Sequence, residues 1–288
     1  EECKECLPEA CMHVCDCGHA CCGIRGEQNH FGCALCNYSI CSICRGSCTE
    51  KPSVMLRCGH PVHKSCLISR YKSINLKDKL VIPRCGFNNT CEAIPYHECV
   101  KDEAEKWINY EKKINESIEL RMKVEDTQNE EDHVKNINDP DYYQQPLKFA
   151  KDFFVYYLCE KCHQPYYAGH KNCGQNGDEA HNPADDGPHE CMRCNRQLMN
   201  AICPKHGETG MVFKCMFCCS PSIWLCYNNT TYFCDPCHRR AGSVEHDKSY
   251  PACDGHCKFA PHPPNGQRVV SGYCVLCEQE KENQMIYG

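Results

Sequence analysis

Large apolar residues are scarce in this sequence. Its 288 residues include only 9 Phe, 8 Met and 2 Trp, which excludes a conventional hydrophobic core as the main source of stability. No apolar run approaches the length that spans a bilayer, and no secretory signal stands at the start, so we expect no membrane partner. A net charge of −6 leaves no excess of Lys and Arg for a nucleic-acid surface. We therefore expect the partners to be proteins.

Cysteine is abundant instead, with 33 Cys and 16 His in the chain. Two sulfurs three positions apart on a tight turn converge on one ion, and disulfide frameworks rarely repeat this spacing. We therefore predict a zinc protein holding about eight Zn²⁺ ions in a reducing intracellular compartment, the cytoplasm. Eight cysteine pairs have the form CxxC: Cys3/Cys6, Cys33/Cys36, Cys41/Cys44, Cys159/Cys162, Cys191/Cys194, Cys215/Cys218, Cys234/Cys237 and Cys274/Cys277.

The distribution of cysteine divides the chain into segments. Residues 1–40, 41–99 and 151–288 are rich in Cys and His, whereas 100–150 are not. We predict small zinc-stabilised modules with little regular secondary structure in the three rich segments. Because the chain starts at Glu1 rather than Met, we expect it to be a piece of a longer protein.

The cysteine-poor segment has the pattern of a helix. Residues 100–137 contain no Cys, Gly or Pro, and apolar residues recur in them at helical spacing. These residues are Ala104, Trp107, Ile108, Ile114 and Ile118. We predict a long amphipathic linker helix, packed on its neighbours or, alternatively, a solvated spacer.

Eight candidate ligands between residues 41 and 91 follow an order that suits two interleaved zinc ions. One ion would be held by Cys41, Cys44, His63 and Cys66, and the other by Cys58, His60, Cys85 and Cys91. This order resembles a RING domain of the two-histidine type, and an unrelated zinc fold is the alternative. The resemblance implies a cross-braced module that docks a ubiquitin-conjugating enzyme, with Ile43 as the apolar contact.

Two departures from the RING pattern bear on function. Five residues separate Cys85 from Cys91 where most RING domains have two, so we expect an altered docking loop. Glu92 follows the final ligand, where many simple RING ligases have an Arg that locks the ubiquitin thioester. Such a RING is better suited to recruiting a charged enzyme than to activating it for direct transfer.

The first segment contains Cys17-Gly-His19-Ala-Cys21, which resembles the short CGHxC zinc fingers of other large proteins. Its nine cysteines, with His13, His19 and His30, suffice for two ions, and the ligand assignment stays open. We expect a structural zinc platform, and a recognition role is the alternative. The candidate ligands are Cys3, Cys6, Cys17, His19, Cys21, Cys33 and Cys36.

Residues 159–277 contain 16 cysteines. Four zinc ions would use fourteen of them together with two histidines, which leaves Cys173 and Cys226 over. The sixteen candidate ligands are Cys159, Cys162, Cys191, Cys194, Cys203, His206, Cys215, Cys218, Cys219, Cys234, Cys237, Cys253, Cys257, His262, Cys274 and Cys277.

The two remaining cysteines have unusual neighbours. Cys173 lies in a polar, Gly-rich stretch that predicts a mobile loop. Cys226 lies between aromatic residues, with His238 twelve positions on, and a thiol within reach of an imidazole is the arrangement that yields a reactive thiolate. From the residues alone, either cysteine could equally be a zinc ligand or inert.

A family resemblance favours the interpretation that both cysteines are reactive. Several motifs of residues 155–277 resemble the tandem-cysteine domain of the Pam/Highwire family, which follows a CGHxC segment, a RING and a helix in the same order. Members of this family are RING-Cys-relay ubiquitin ligases: they pass ubiquitin from a conjugating enzyme through two cysteines to a threonine hydroxyl. The motifs are Cys203-Pro-Lys-His206-Gly, Lys214-Cys-Met-Phe-Cys-Cys219, Cys226-Tyr-Asn-Asn-Thr-Thr-Tyr-Phe-Cys234 and His262-Pro-Pro264.

The resemblance implies a role for six residues. Cys173 and Cys226 would be the upstream and downstream relay cysteines, and His238 the general base that deprotonates the acceptor hydroxyl. Glu190 resembles a glutamate that assists ester formation. The remaining two, Tyr227 and Phe233, resemble aromatic residues that enclose the threonine methyl group; core packing is the alternative for both, and zinc ligation the alternative for His238.

The turn after Cys226 is one residue longer than in the family, and Ala241 stands where the family has a third aromatic residue. We therefore expect a looser pocket and a weaker preference for Thr over Ser. The sequence thus favours a ubiquitin ligase whose partners are a ubiquitin-conjugating enzyme, ubiquitin and a protein substrate with a Thr or Ser acceptor. The alternatives are a simple RING ligase that transfers to lysine, and a zinc scaffold without catalysis.

Overall fold

The computed structural model describes residues 8–76, 79–126, 146–168, 190–194, 201–226, 231–240, 250–267 and 269–287. The chain divides into two compact units. The first comprises Glu1–Asn75 and Val81–Glu111, and the second comprises Leu76–Leu80 and Lys112–Gly288. No helix among the described residues is both long enough and apolar enough to span a lipid bilayer.

Regular structure is sparse, which confirms the predicted fold class. The described helices are α1 (Ala34–Asn37), α2 (Lys64–Lys72), α3 (Lys101–Asp126), α4 (Pro146–Phe153), α5 (Asp235–His238) and α6 (Val275–Tyr287). The described strands are β1 (Ser53–Met55), β2 (Pro61–His63), β3 (Tyr156–Leu158), β4 (Pro165–Tyr167), β5 (Met211–Phe213), β6 (Trp224–Cys226), β7 (Thr231–Phe233) and β8 (Gly272–Cys274). Each strand has three residues and one antiparallel partner: β1 pairs with β2, β3 with β4, β5 with β8 and β6 with β7.

The first unit is organised around the β1–β2 hairpin. Ser53 pairs with His63 across this hairpin, and α2 starts at the next residue. Val54, Val62 and Leu67 are fully buried beneath it. The hairpin turn and the start of α2 therefore bring the Cys/His motif of residues 58–66 onto a small apolar base.

Helix α3 buries the face that its periodicity predicts, with one exception. Trp107, Ile114 and Ile118 are buried, whereas Ile108 is 41% exposed. The prediction for Ile108 was wrong because a residue one position after Trp107 is turned by about 100° around the helix. Tyr110 is buried instead and contacts the Trp107 ring edge-on. The buried face indicates a packed helix rather than a solvated spacer, and the predicted continuation to residue 137 lies outside the described residues.

The core of the second unit consists of several small clusters rather than one. One cluster contains Trp224 and Phe233 of the β6–β7 hairpin. Another contains Phe213 of β5 and Tyr232 of β7, and a third joins Val212 of β5 to the start of α6. Cysteines from the candidate zinc sites belong to or pack against all three clusters, so candidate zinc ligands and apolar side chains share the same small cores.

Candidate zinc sites and transfer site

The first RING-like set brings Cys41, Cys44, His63 and Cys66 together, with their ligand atoms within 4.8 Å of one another. The Nδ1 atom of His63 lies 3.3 Å from the Cys44 sulfur and 3.6 Å from the Cys66 sulfur. Its other nitrogen, Nε2, lies 2.9 Å from the carbonyl oxygen of Ser47. A proton on Nε2 that donates to this carbonyl leaves Nδ1 free to bind a metal, so the backbone selects the tautomer.

The second set brings together Cys58, His60, Cys85 and Cys91. Nδ1 of His60 lies 3.6 Å from the Cys85 sulfur. Three of the five residues between the last two cysteines form a 3₁₀ turn, Phe87–Asn89, and the Phe87 ring stacks on His60 with centroids 4.1 Å apart. The longer loop therefore covers the imidazole of the second site.

The ligand spacing fits tetrahedral zinc. Ligand atoms about 2.0–2.3 Å from one ion at tetrahedral angles lie roughly 3.3–3.8 Å from each other, and the sulfur–nitrogen distances above, 3.3–3.6 Å, fall in this range. The thiol of Cys41, the first ligand, also has a pKa that favours metal binding. Burial would raise the pKa of Cys41, but N–H groups of Cys44 and His63 outweigh it and lower the pKa. Such N–H bonds favour the thiolate, the form that binds zinc.

The expected docking residue Ile43 lies within the first of these ligand sets, and Glu92 follows the last ligand of the second. Ile43 is half-buried between the first two cysteines. Glu92 is exposed, and its carbonyl oxygen accepts a 2.7 Å hydrogen bond from Arg84. The Arg84 guanidinium also forms a 2.6 Å ion pair with Glu111, so this cation is engaged within the first unit.

The first segment contains a further four-residue set, Cys17, His19, Cys33 and Cys36. Cys21 lies elsewhere: its thiol hydrogen-bonds with that of Cys11, which in turn lies 3.3 Å from Nδ1 of His30. Cys11 is not among the ligands predicted from the sequence, because it belongs to no CxxC pair. Cys3 and Cys6 lie outside the described residues.

The sixteen ligands expected in the third segment fall into four sets. Cys159 and Cys162 join Cys191 and Cys194, while Cys203 and His206 join Cys274 and Cys277. Cys218 lies 3.5 Å from Cys234 and 3.8 Å from Cys237, and also hydrogen-bonds with Cys215. Cys219 lies 3.5 Å from Nε2 of His262 and hydrogen-bonds with Cys253 and Cys257. Each set contains the four ligands that a structural zinc site requires.

The residues assigned to ubiquitin transfer are only partly described. Cys173, Tyr227 and Ala241 lie outside the described residues. Cys226 ends β6, where its backbone pairs with Thr231 of β7, and its side chain is not among those described. The β6–β7 hairpin nevertheless fixes the backbone position from which the thiol extends.

His238 is held against this hairpin by ring contacts. Its imidazole stacks on the Trp224 indole, with centroids 3.9 Å apart and planes 4° from parallel. It also meets the Phe233 ring edge-on at 5.6 Å. The indole N–H donates a 3.2 Å hydrogen bond to Asp235 at the start of α5. Phe233 is fully buried, which favours the core-packing alternative for this residue.

Glu190 is described and pairs with a cation: its carboxylate lies 2.9 Å from Nζ of Lys161. Lys161 in turn donates to the carbonyl oxygen of Cys194. The carboxylate is thereby tied to the Cys159/Cys162/Cys191/Cys194 set.

These features describe a protein with several Cys/His sets that could each hold a zinc ion, two of them interleaved as in a RING domain. No family model matches the chain. It is similar to E3 ubiquitin-protein ligase highwire of Drosophila melanogaster, 28% identical over 318 residues, and to E3 ubiquitin-protein ligase MYCBP2 of Danio rerio, 26% identical over 313 residues. Each alignment covers 96% of this chain and 6% of the relative. Both relatives belong to the Pam/Highwire family, whose motifs this chain resembles.

Proposed function

We propose that this chain is the ubiquitin-transferring part of a ubiquitin ligase. The interleaved sets of residues 41–91 would recruit a charged conjugating enzyme, with Ile43 as the apolar contact. Two relatives that are E3 ubiquitin-protein ligases by name match 96% of the chain, which supports this class of activity. The chain spans about 6% of the length of those relatives.

We further propose that ubiquitin passes through Cys173 and Cys226 to a threonine or serine hydroxyl. The observation that carries this proposal is the environment of the Cys226 hairpin. The neighbouring zinc set already has four sulfur ligands, from Cys215, Cys218, Cys234 and Cys237, so His238 is not needed as a ligand. Its imidazole instead stacks on Trp224, two residues from Cys226 on the same strand.

The proposed transfer has three steps. The Cys173 thiolate attacks the thioester of the conjugating enzyme and releases the enzyme's thiolate. Cys226 then attacks the new thioester and releases Cys173. In the last step the acceptor hydroxyl attacks the Cys226 thioester while the His238 imidazole takes its proton, and Cys226 leaves as a thiolate. A ring held flat against an indole has little freedom to turn away, which favours productive geometry.

Zinc supplies structure in this scheme, about eight ions counting two for each of the first two segments and four for the third. The ligand sets join segments that are far apart in the sequence, as Cys203 and Cys277 are. A protein with so few large apolar residues depends on such cross-links. Chelation should therefore unfold the modules rather than merely inhibit them.

The test is intact-mass analysis of ubiquitin after incubation of the chain with a charged conjugating enzyme and free threonine, serine or lysine. We expect threonine and serine adducts, no adduct with Cys173→Ala, and an oxygen ester trapped on Cys226→Ser. Hydroxylamine would cleave that ester, whereas thiol reductants would not. Cys22→Ser is the matched control, because the described contact of the Cys22 thiol is a weak one of 3.9 Å to the Ala20 carbonyl.

Other outcomes identify the alternatives. A lysine adduct that is unaffected by Cys173→Ala and Cys226→Ser would identify a simple RING ligase and refute the relay. Absence of any discharge in the presence of several conjugating enzymes would leave a zinc scaffold.

A further inference from the structure

A third thiol outside the proposed relay has a histidine and a carboxylate aligned behind it. The Cys99 sulfur lies 3.1 Å from Nδ1 of His97, and Nε2 of the same ring lies 2.8 Å from the Glu27 carboxylate. All three residues belong to the first unit. A thiol, an imidazole and an orienting acid in this order form the constellation of nucleophilic catalysis.

The geometry does not suit a single metal ion. The thiol and the carboxylate meet opposite nitrogens of the His97 ring, so one ion cannot be bound by all three groups. Glu27 selects the tautomer of His97, because its carboxylate accepts a hydrogen bond from Nε2–H. The proton therefore stays on Nε2, and the lone pair of Nδ1 faces the sulfur. His97 and Glu27 are each only 14% exposed in their side chains, which limits competition from water.

His97 also has a structural task. It precedes the 3₁₀ turn Glu98–Val100 that leads into α3, and its Nδ1 accepts the backbone N–H of Cys99 at 3.2 Å. A capping role alone explains this N–H bond, but not the carboxylate on the far side of the ring or the thiol on the near side. Asn would cap the turn equally well, which makes the two roles separable by mutation.

The thiol opens onto a cleft. A cavity of roughly 950 Å³ is lined by the loop from Ile24 to Phe31, by Met55 and by the turn from His97 to Cys99. Cys99 is half-buried at its edge. An attacking sulfur must come within about 3.5 Å of the carbonyl carbon, so a half-buried thiol favours acyl groups without a side chain next to the carbonyl. A C-terminal glycine, which is what ubiquitin carries, meets this condition.

We propose that Cys99 is a further acyl-accepting nucleophile, activated by His97 and Glu27, that takes a glycyl group from a thioester. As the Cys99 sulfur attacks the carbonyl carbon, His97 takes the thiol proton and Glu27 stabilises the resulting imidazolium. The new S–C bond forms as the thioester C–S bond breaks, and the departing thiolate receives the proton from His97. That the donor is charged ubiquitin rests on the proposed function. The existence of the nucleophilic site at Cys99 does not depend on it.

The resting state is a neutral thiol. Burial raises the pKa of Cys99, and the nearby Lys64 only partly offsets it. Deprotonation therefore belongs to the attack itself, which makes the base His97 essential to reactivity rather than incidental.

The experiment uses the full chain with Cys173→Ala and Cys226→Ala, which removes both proposed relay thiols. It is incubated with the 2-mercaptoethanesulfonate thioester of N-acetylglycine, and the acylated cysteine is mapped by peptide mass spectrometry. We expect the acyl group on Cys99, at a rate that falls about 100-fold in His97→Asn. Glu27→Gln should cause a smaller loss, while zinc content stays unchanged in both variants.

Two results would overturn the site: no acylation of Cys99, or acylation at an unchanged rate in His97→Asn, which would reduce His97 to a cap. A second arm replaces the small thioester with charged conjugating enzyme, and we expect a reductant-sensitive ubiquitin adduct that disappears with Cys99→Ala. If the unmodified chain discharges ubiquitin but the chain with Cys173→Ala and Cys226→Ala gains no adduct, ubiquitin is not the donor. If the unmodified chain does not discharge ubiquitin at all, the proposed function fails, and the small-thioester arm decides the site alone.

Discussion

Arg121 offers a sharp test of how α3 holds the second unit together. It is a buried charge, only 6% exposed. Its Nη1 donates to the carbonyl oxygen of Met211 at the start of β5, and its guanidinium carbon lies 4.9 Å from the centroid of the Tyr167 ring. Arg121→Met keeps most of the apolar stem and removes the charge, so the variant isolates these polar contacts.

The expected loss can be worked from those contacts. A hydrogen bond from a charged group contributes about 1.5–3 kcal/mol, and a desolvated cation–π contact contributes about 0.5–2 kcal/mol. Because Arg121→Met removes both contacts, we expect a total loss of roughly 2–5 kcal/mol. For a unit of this size each kcal/mol shifts the melting temperature by about 2–4 °C, so the second unit should melt roughly 4–20 °C lower.

The two tryptophans allow each unit to be followed separately. Trp107 belongs to the first unit and Trp224 to the second. In a Trp107→Phe background the fluorescence of Trp224 reports thermal unfolding of the second unit. Lys112→Met is the matched control, since the Lys112 side chain on the same helix is 74% exposed. If Arg121→Met melts within about 1 °C of its background, the buried contacts contribute nothing and the reasoning is refuted.

Three further predictions concern the zinc sites and the docking surface. Ile43→Ala should lower ubiquitin discharge at least tenfold in the mass assay, with zinc content unchanged; an unaffected rate would refute its role as the contact. His63→Ala should release one zinc ion per chain, measured colorimetrically after gel filtration, because the buried Nδ1 has no substitute; full retention would mean that His63 is not a ligand. Burial raises the pKa of Cys203, but the backbone N–H groups of His206 and Lys205 outweigh it and lower the pKa to about 6. The stabilisation from this thiolate is complete above the ordinary thiol pKa of 9.0 and is lost as the pH falls through about 6. Zinc release to a chelator should therefore accelerate below that pH, and equal release at acid and neutral pH would contradict this.

The zinc half-sites, pairs of ligands three positions apart, could be predicted from the sequence because their geometry is local. In Cys159-x2-Cys162 and Cys203-x2-His206 the spacing alone directs both ligand atoms to one point, whatever the rest of the chain does. The order of ligands from residue 41 to residue 91 likewise predicted two interleaved sets, and the structure brings together the residues named for each. The periodicity of α3 predicted its buried face except at Ile108, where the pattern could not distinguish the edge of the face from its centre.

The pairing of distant half-sites depended on the path of the chain. Cys203 meets Cys277 at 3.6 Å although 74 positions separate them, and CxxC spacing carries no information about which pair completes which ion. The contact of Glu27 with His97 joins residues 70 positions apart, and no motif connects them. The sequence by itself therefore determined the ligand chemistry of this protein, a framework of Cys/His pairs suited to zinc, with two cysteines left over in residues 159–277. The tertiary structure decided which half-sites share an ion and which thiol faces an imidazole, because these depend on long-range packing that local spacing does not encode.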